Sequence, residues 1–327
     1  MWPIIGHEWA VELLERCIRA GTTSHAYLIV GPAQVGKTTL ARAFAQALLC
    51  RSDSNQQGNG PCGVCRTCQL IEADRHPDVS LVAPEGERIK IEAIRDLQQM
   101  LSLSPVEGDY RLAVVRRIDV ATSSAANSLL KTLEEPPPRV ILILTADGLD
   151  ALLPTIVSRC QVLSLRAVAT ERIVAALLER GVGPERARLL GSLAQGRVGW
   201  AIEASQDERV LARREQILEK LLGLDQRSCR ARFLWADQLS RHPDRVPDVL
   251  SVLSSWWHDV LVLASGSGAA ISNRDRQPVL QEWAARYGVD TAQQVLRGVR
   301  ETAWRLEHNA NRRLALEVLL MDLPSKD

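Results

Sequence analysis

The stretch Ala26-Tyr-Leu-Ile-Val30, followed at once by Gly31-Pro-Ala-Gln-Val-Gly36-Lys37-Thr38, decides the fold. A short, continuous apolar run of this kind reads as a strand buried on both faces. Residues 38–49 carry apolar side chains at three- and four-residue spacing and predict a helix. G-x-x-x-x-G-K-[ST] between a strand and a helix is the setting of a phosphate-binding loop. Its glycines let backbone N–H groups curl around phosphate oxygens, and the helix N-terminus adds its positive end. Lys37 is expected to reach the terminal phosphates and Thr38 to hold Mg²⁺, with Gly31, Gly36 and Thr39 completing the nucleotide-contacting set. A glycine-rich turn that holds no nucleotide would read the same way. Lysine is scarce, at positions 37, 90, 131, 220 and 326, so its presence in the motif carries weight.

Outward from this motif, the first half alternates β-branched runs with helical patterns, which predicts an α/β fold with a parallel sheet covered by helices. Strands are expected at 26–30, 79–83, 112–115, 140–144 and 162–165, and a further helix at 91–100. Residues 51–61 are polar and read as loop. Beyond 165 the strand signal vanishes and helices take over. Val249, Val252, Leu253, Trp256, Val260 and Leu263 form one helical stripe. Trp256 and Trp257 read as core rather than as a base-stacking platform. Residues 265–277 read as loop, and 291–323 as a last helical stretch broken around 308–311.

With 327 residues the chain has room for two or three domains. Forty basic against thirty-nine acidic residues leave a net charge of +1, which excludes a protein that grips nucleic acid by its overall field. No apolar run approaches the roughly 20 residues of a membrane helix. The first residues, Met1-Trp2-Pro3-Ile4-Ile5-Gly6-His7-Glu8, lack the basic and apolar regions of an export signal, so a cytoplasmic location and no membrane contact are expected.

Nucleotide hydrolysis needs a carboxylate near the end of a neighbouring strand to organise Mg²⁺. The strand at 112–115 ends instead in Arg116-Arg117, two cations that would repel the metal and supply no base. Asp119 lies further on and reads as a cap for a helix at 121–135, less as a metal carboxylate. Cys50, Cys62, Cys65 and Cys68 are spaced C-x11-C-x2-C-x2-C, which suits four thiolates on one structural Zn²⁺; a redox cluster or free thiols are the alternatives. His76 reads as a surface-loop residue, and Cys17, Cys160 and Cys229 as small buried apolar side chains.

Several runs together carry a family pattern. They are the phosphate loop, the four-cysteine module followed by His76-Pro77-Asp78, and the run Ala125-Ala-Asn127-Ser-Leu-Leu130-Lys131-Thr-Leu133-Glu134-Glu135-Pro136-Pro137. Thr155-Ile-Val-Ser158-Arg159-Cys160 and Asn309-Ala-Asn311-Arg-Arg-Leu314-Ala-Leu316-Glu317 complete it. With these runs the chain resembles the clamp-loader branch of the AAA+ proteins, here the loader of bacterial DNA polymerase III. The resemblance implies a RecA-like AAA+ domain at 1–166 with a zinc module at 50–68. It further implies a helical lid at 167–206 and a helical collar for oligomerisation at 207–327.

It also implies that Arg159 is an arginine finger acting in trans on ATP held by an adjacent subunit, and that Thr145, ending its strand, is the polar sensor near the γ-phosphate. The paired Asp-Glu of ATPase members falls on Arg116-Arg117, and their lid arginine on Gly199, with Arg197 two residues out of register. These departures imply the rigid, non-hydrolysing type of subunit, with nucleotide binding without turnover left open. An active ATPase, either the tau/gamma-like motor subunit or another AAA+ remodeller, with Asp119, Glu134 or Glu135 within reach of Lys37, is the rival. A zinc-stabilised scaffold with an empty loop is a third reading. The implied partners are the tau and gamma ATPase subunits, the delta subunit and, through the assembly, the sliding clamp and primed DNA.

Overall fold

The computed structural model describes residues 2–52, 60–224, 229–308 and 310–325. Residues 53–59 of the polar stretch and Asn309 of the last family run lie outside the described residues. In chain order the elements are α1 (Glu8–Ala20), β1 (Ala26–Val30), α2 (Lys37–Leu49), α3 (Arg66–Glu72), β2 (Val79–Val82), α4 (Ile91–Leu101) and β3 (Arg111–Val115). They continue with α5 (Ser123–Glu134), β4 (Val140–Ala146), α6 (Pro154–Val157), β5 (Gln161–Ser164), α7 (Thr170–Glu179), α8 (Pro184–Ala194) and α9 (Val198–Gln206). The last are α10 (Glu208–Leu224), α11 (Cys229–Ser240), α12 (Val246–Ala264), α13 (Gln277–Glu307) and α14 (Arg312–Met321).

The chain divides into two compact units. One runs to Ala176 and takes in Gly196–Trp200; the other comprises Leu177–Gln195 and the chain from Ala201. In the first, the described strands form one parallel sheet in the order β2-β3-β4-β1-β5. The central strands β1, β3 and β4 are buried along their whole length, as expected of a parallel sheet with both faces covered. Leu28, Leu142, Leu144, Ala113 and Val115 pack with Ile94 and Leu97 of α4 and Leu129 and Leu133 of α5 into one core. Tyr27 points to the opposite face and meets Phe44 of α2 edge-on at 4.8 Å. β4 extends to Ala146, two residues past its expected end, so Thr145 lies inside the strand instead of closing it.

His76 is buried, which corrects its reading as a surface-loop residue. Its Nδ1 accepts the Asp78 N–H at 3.1 Å, and burial holds the imidazole below its ordinary pKa. Asp78, with no exposed surface, accepts the backbone N–H groups of Val106, Glu107 and Gly108 at 2.6, 2.8 and 2.8 Å. The His76-Pro77-Asp78 run is therefore an anchor that ties the loop before β3 to the start of β2. Burial pushes the Asp78 carboxyl up, but the three N–H groups outweigh it and the net shift is downward. A depressed folded value stabilises the fold above the ordinary carboxylate pKa of about 4 and loses that contribution as pH falls through the folded value. Asp78→Asn is expected to cost roughly 3 kcal/mol at neutral pH, with the gap to the parent narrowing under acid; urea titrations at pH 7 and pH 3 check both.

The second unit is helical. α12 carries the stripe, with Val249, Leu253, Trp256 and Val260 buried. Trp256 and Trp257 are core residues, packed against Trp283 of α13 at 5.6 and 5.4 Å. Asp259, also buried, accepts the N–H groups of Ser272 and Asn273 and so pins the loop that follows α12. α13 is interrupted at Gly288, where φ is +68°, a value glycine adopts without strain. Arg232 of α11 is buried and caps the end of α14, donating to the carbonyls of Leu320, Met321, Leu323 and Pro324. Of the three lone cysteines, Cys229 is exposed and Cys17 and Cys160 are half-buried, so none is the fully buried apolar residue expected.

Candidate functional site

The described strands being parallel, the C-terminal ends of β1, β3 and β4 lie along one edge, the place where α/β sheets present their ligand-binding loops. The register sets which residues meet there. Val30 pairs with Ala146 and Val115 with Leu144, so the phosphate loop starts beside Asp147, and Arg116-Arg117 lie beside Thr145. Gly31 donates its N–H to the Ala146 carbonyl at 3.2 Å. It must be glycine, since a Cβ there would stand 2.5 Å from the Leu165 carbonyl oxygen. Gly36, at φ +110°, turns the chain into α2. Thr38 and Thr39 follow in the first turn of α2, half-buried and exposed respectively. From outside, the loop is held by His7 Nε2 on the Val35 carbonyl at 3.2 Å and by the Gly199 N–H on the Gln34 carbonyl at 2.8 Å.

Lys37 is buried and curls back onto its own loop. Its ammonium donates to the Gly31 carbonyl at 2.6 Å, to the Pro32 carbonyl at 2.7 Å and to Asp147 Oδ1 at 2.7 Å. Arg117 takes the left-handed conformation just past β3, at φ +56°, with its N–H on Thr145 Oγ1 at 3.1 Å. Its guanidinium lies 2.9 Å from Asp119 Oδ2 and 3.3 Å from Asp147 Oδ2. Lys37, Asp147, Arg117 and Asp119 thus form a chain of alternating charges that sums to zero. Asp119 is no helix cap: it sits in a short 3-10 turn, Ile118–Val120, and the cap of α5 is Thr122, whose Oγ1 accepts the Ala125 N–H. Arg116 is exposed.

Arg159 follows the one-turn helix α6. Its guanidinium donates to the Thr155 carbonyl at 3.0 Å and pairs with Glu134 of α5 at 2.7 Å, both side chains being partly open to solvent. A Cβ on Gly199 would come within 3.0 Å of the Gln34 carbonyl oxygen, so this position abuts the phosphate loop. Arg197 lies over the Trp200 ring at 5.8 Å.

The four cysteines converge. One Sγ from each of Cys50, Cys62, Cys65 and Cys68 lies within 4.8 Å of every other. Separations of 3.7, 3.9 and 4.0 Å match the roughly 3.8 Å edge of a tetrahedron with Zn–S bonds of about 2.3 Å. Within the x2 spacings the Cys65 N–H donates to Cys62 Sγ and the Cys68 N–H to Cys65 Sγ, which also caps α3. The N–H groups of Cys65 and Val64 bring the Cys62 thiol down to about 6. Burial pushes Cys68 well up, a cost that a bound cation would offset. The residues fit a structural zinc ion with no open coordination position. Gln46 of α2 donates to the Cys68 carbonyl at 3.0 Å, docking the module on the helix that begins at Lys37.

Residues 6–169 match the family described as DNA polymerase III, delta subunit, and residues 209–324 the family described as DNA polymerase III, delta subunit, C terminal. The DNA polymerase III subunit delta' of Bacillus subtilis (strain 168) is 31% identical over 96% of this chain and 94% of its own length. The chain belongs to the DNA polymerase III delta' family. Subunit tau of Escherichia coli (strain K12) is 34% identical over 52% of this delta' family chain and 26% of its own length. A solved gamma subunit-related protein of Thermotoga maritima is 20% identical, covering 95% of this chain and 97% of its own, with a TM-score of 0.45. The expected resemblance to the subunits of bacterial DNA polymerase III thus holds.

In this delta' family chain, sequence reasoning found Lys37 and the paired arginines and missed Asp147, which binds both Lys37 and Arg117. The signal was present. Asp147 is the first residue after a buried strand that neighbours β1, on the edge where the phosphate loop opens.

Proposed function

We propose that the chain works in the clamp loader as a subunit that hydrolyses no ATP itself and supplies Arg159 in trans to ATP bound on an adjacent tau or gamma subunit. The observation that carries the non-hydrolysing half is the end of β3. The place of a metal-holding carboxylate is taken by Arg116-Arg117, and Asp119 and the Lys37-bound Asp147 are both engaged by Arg117. The Arg159 half is supported by its setting. Its guanidinium is partly exposed, and its partners Thr155, Ser158 and Glu134 all lie outside the phosphate loop. An exposed ion pair such as Arg159 with Glu134 is worth about 0.2–1 kcal/mol, so handing the guanidinium to a more highly charged γ-phosphate costs little.

In this reading Gly31, Gly36, Lys37, Thr38, Thr39 and Thr145 form a site that holds ATP and Mg²⁺ without turnover, and Cys50, Cys62, Cys65 and Cys68 hold structural Zn²⁺. The lid occupies 167–206 and the collar 207–327, which joins the tau or gamma and delta subunits. The assembly, in the cytoplasm, brings this chain to the sliding clamp and primed DNA. The test is ATP hydrolysis by the purified chain with Mg²⁺, beside Lys37→Ala. Both are expected at background, and Lys37-dependent turnover would make the chain a motor.

A further inference from the structure

A lysine ammonium has three protons to donate. In Lys37 all three have protein acceptors, at 2.6, 2.7 and 2.7 Å, and the side chain is only 7% exposed, so little water competes. Two of the acceptors are carbonyls of the loop itself. The third is Asp147 Oδ1, an anionic oxygen on the group that a terminal phosphate would need. The other oxygen of Asp147 is already 3.3 Å from Arg117 Nε. Arg117 is fixed at its backbone by Thr145 and at its guanidinium by Asp119.

We propose that Asp147 is a built-in anion that occupies Lys37 in place of a terminal phosphate, so that the triphosphate of a nucleotide enters only by displacing this carboxylate onto Arg117. The proposal rests on the reading of the loop as a nucleotide site. Three features of the geometry favour it. The carboxylate belongs to the residue directly after β4, whose last residue, Ala146, pairs with Val30 at the end of β1, so sheet register brings Asp147 beside the loop. The displaced carboxylate keeps a cationic partner and is never left alone. With Asp147 on it, the Lys37 ammonium offers an incoming phosphate no uncompensated charge. The free energy of breaking the Lys37 contact is subtracted from nucleotide binding, in the way a closed state lowers apparent affinity.

The test is equilibrium binding of ATP with Mg²⁺ to the full chain and to Asp147→Asn, Asp147→Ala, Lys37→Ala and the double variant Lys37→Ala/Asp147→Ala. Asp147→Asn keeps the shape and a hydrogen-bond acceptor, so it reports even if the alanine variant unfolds. Both Asp147 variants are expected to bind about tenfold tighter than the parent, with the gain lost on the Lys37→Ala background. Unchanged or weaker binding by the Asp147 variants, with Lys37-dependent binding by the parent, overturns the proposal and leaves the nucleotide site standing. No binding by the parent or by either variant overturns both.

Discussion

A clamp loader assembled with Arg159→Ala in this chain is expected to lose ATP turnover at the one site that Arg159 faces, by on the order of a thousandfold. The size follows from the charge developing on a transferring phosphoryl group, which a guanidinium in a water-poor interface offsets far better than water does. Arg159→Lys is expected to recover only part of the loss, because an ammonium keeps the charge but not the planar pair of donors. The local structure predicts a second, smaller effect. Glu134 and the Thr155 carbonyl hold the guanidinium at 2.7 and 3.0 Å, so Glu134→Ala leaves the charge in place while freeing its orientation. Turnover by the reconstituted assembly, with the purified variants checked for unchanged melting, separates these cases. Full turnover with Arg159→Ala would remove the proposed role.

Removal of zinc is expected to produce the largest loss of stability. In small metal-dependent domains the metal contributes apparent values of roughly 10–16 kcal/mol, because the ligand set is not assembled in the unfolded chain and binding energy becomes folding energy. Here the four sulfurs lie within 4.8 Å of one another, and the module leans on α2 through Gln46. The loss should therefore spread from the module to the C-terminal end of α2. Gly60 ties a further element in: at φ +73° a Cβ there would stand 2.5 Å from the Trp2 ring, whose Nε1 donates to Glu15 of α1. Cys65→Ser, or chelation, is expected to lower the melting temperature by about ten degrees or more and to release amide protection around Gln46 and Cys68. Metal analysis should return one zinc per chain in the parent. A metal-free parent with the same melting temperature would contradict the account.

Much of the fold was legible because its signals are local. Buried parallel strands such as Ala26–Val30 and Val140–Ala146 are unbroken apolar runs, and the stripe on α12 has a helical period that no strand shares. The cysteine module was legible because thiolates at x2 spacing have few other uses. What escaped were contacts between distant segments. His76 looks like a loop polar residue, and only the approach of Asp78 to residues 106–108 explains its burial. Asp119 looked like a cap because an acid before a helix usually is one; the left-handed turn at Arg117 takes it into the charge chain instead. Asp147 was missed for the same reason, since its partners lie 110 and 30 residues away and meet it only through sheet register.

The central claim is that the assembly's ATP hydrolysis depends on this chain's arginine and not on its own phosphate loop. The most direct test measures clamp-stimulated ATP turnover in two loaders that differ only here, one carrying Lys37→Ala and the other Arg159→Ala. The account predicts near-parental turnover with Lys37→Ala and, with Arg159→Ala, loss of the share of turnover that comes from the site Arg159 faces. The reverse result, loss with Lys37→Ala and none with Arg159→Ala, would make this chain a motor and contradict it.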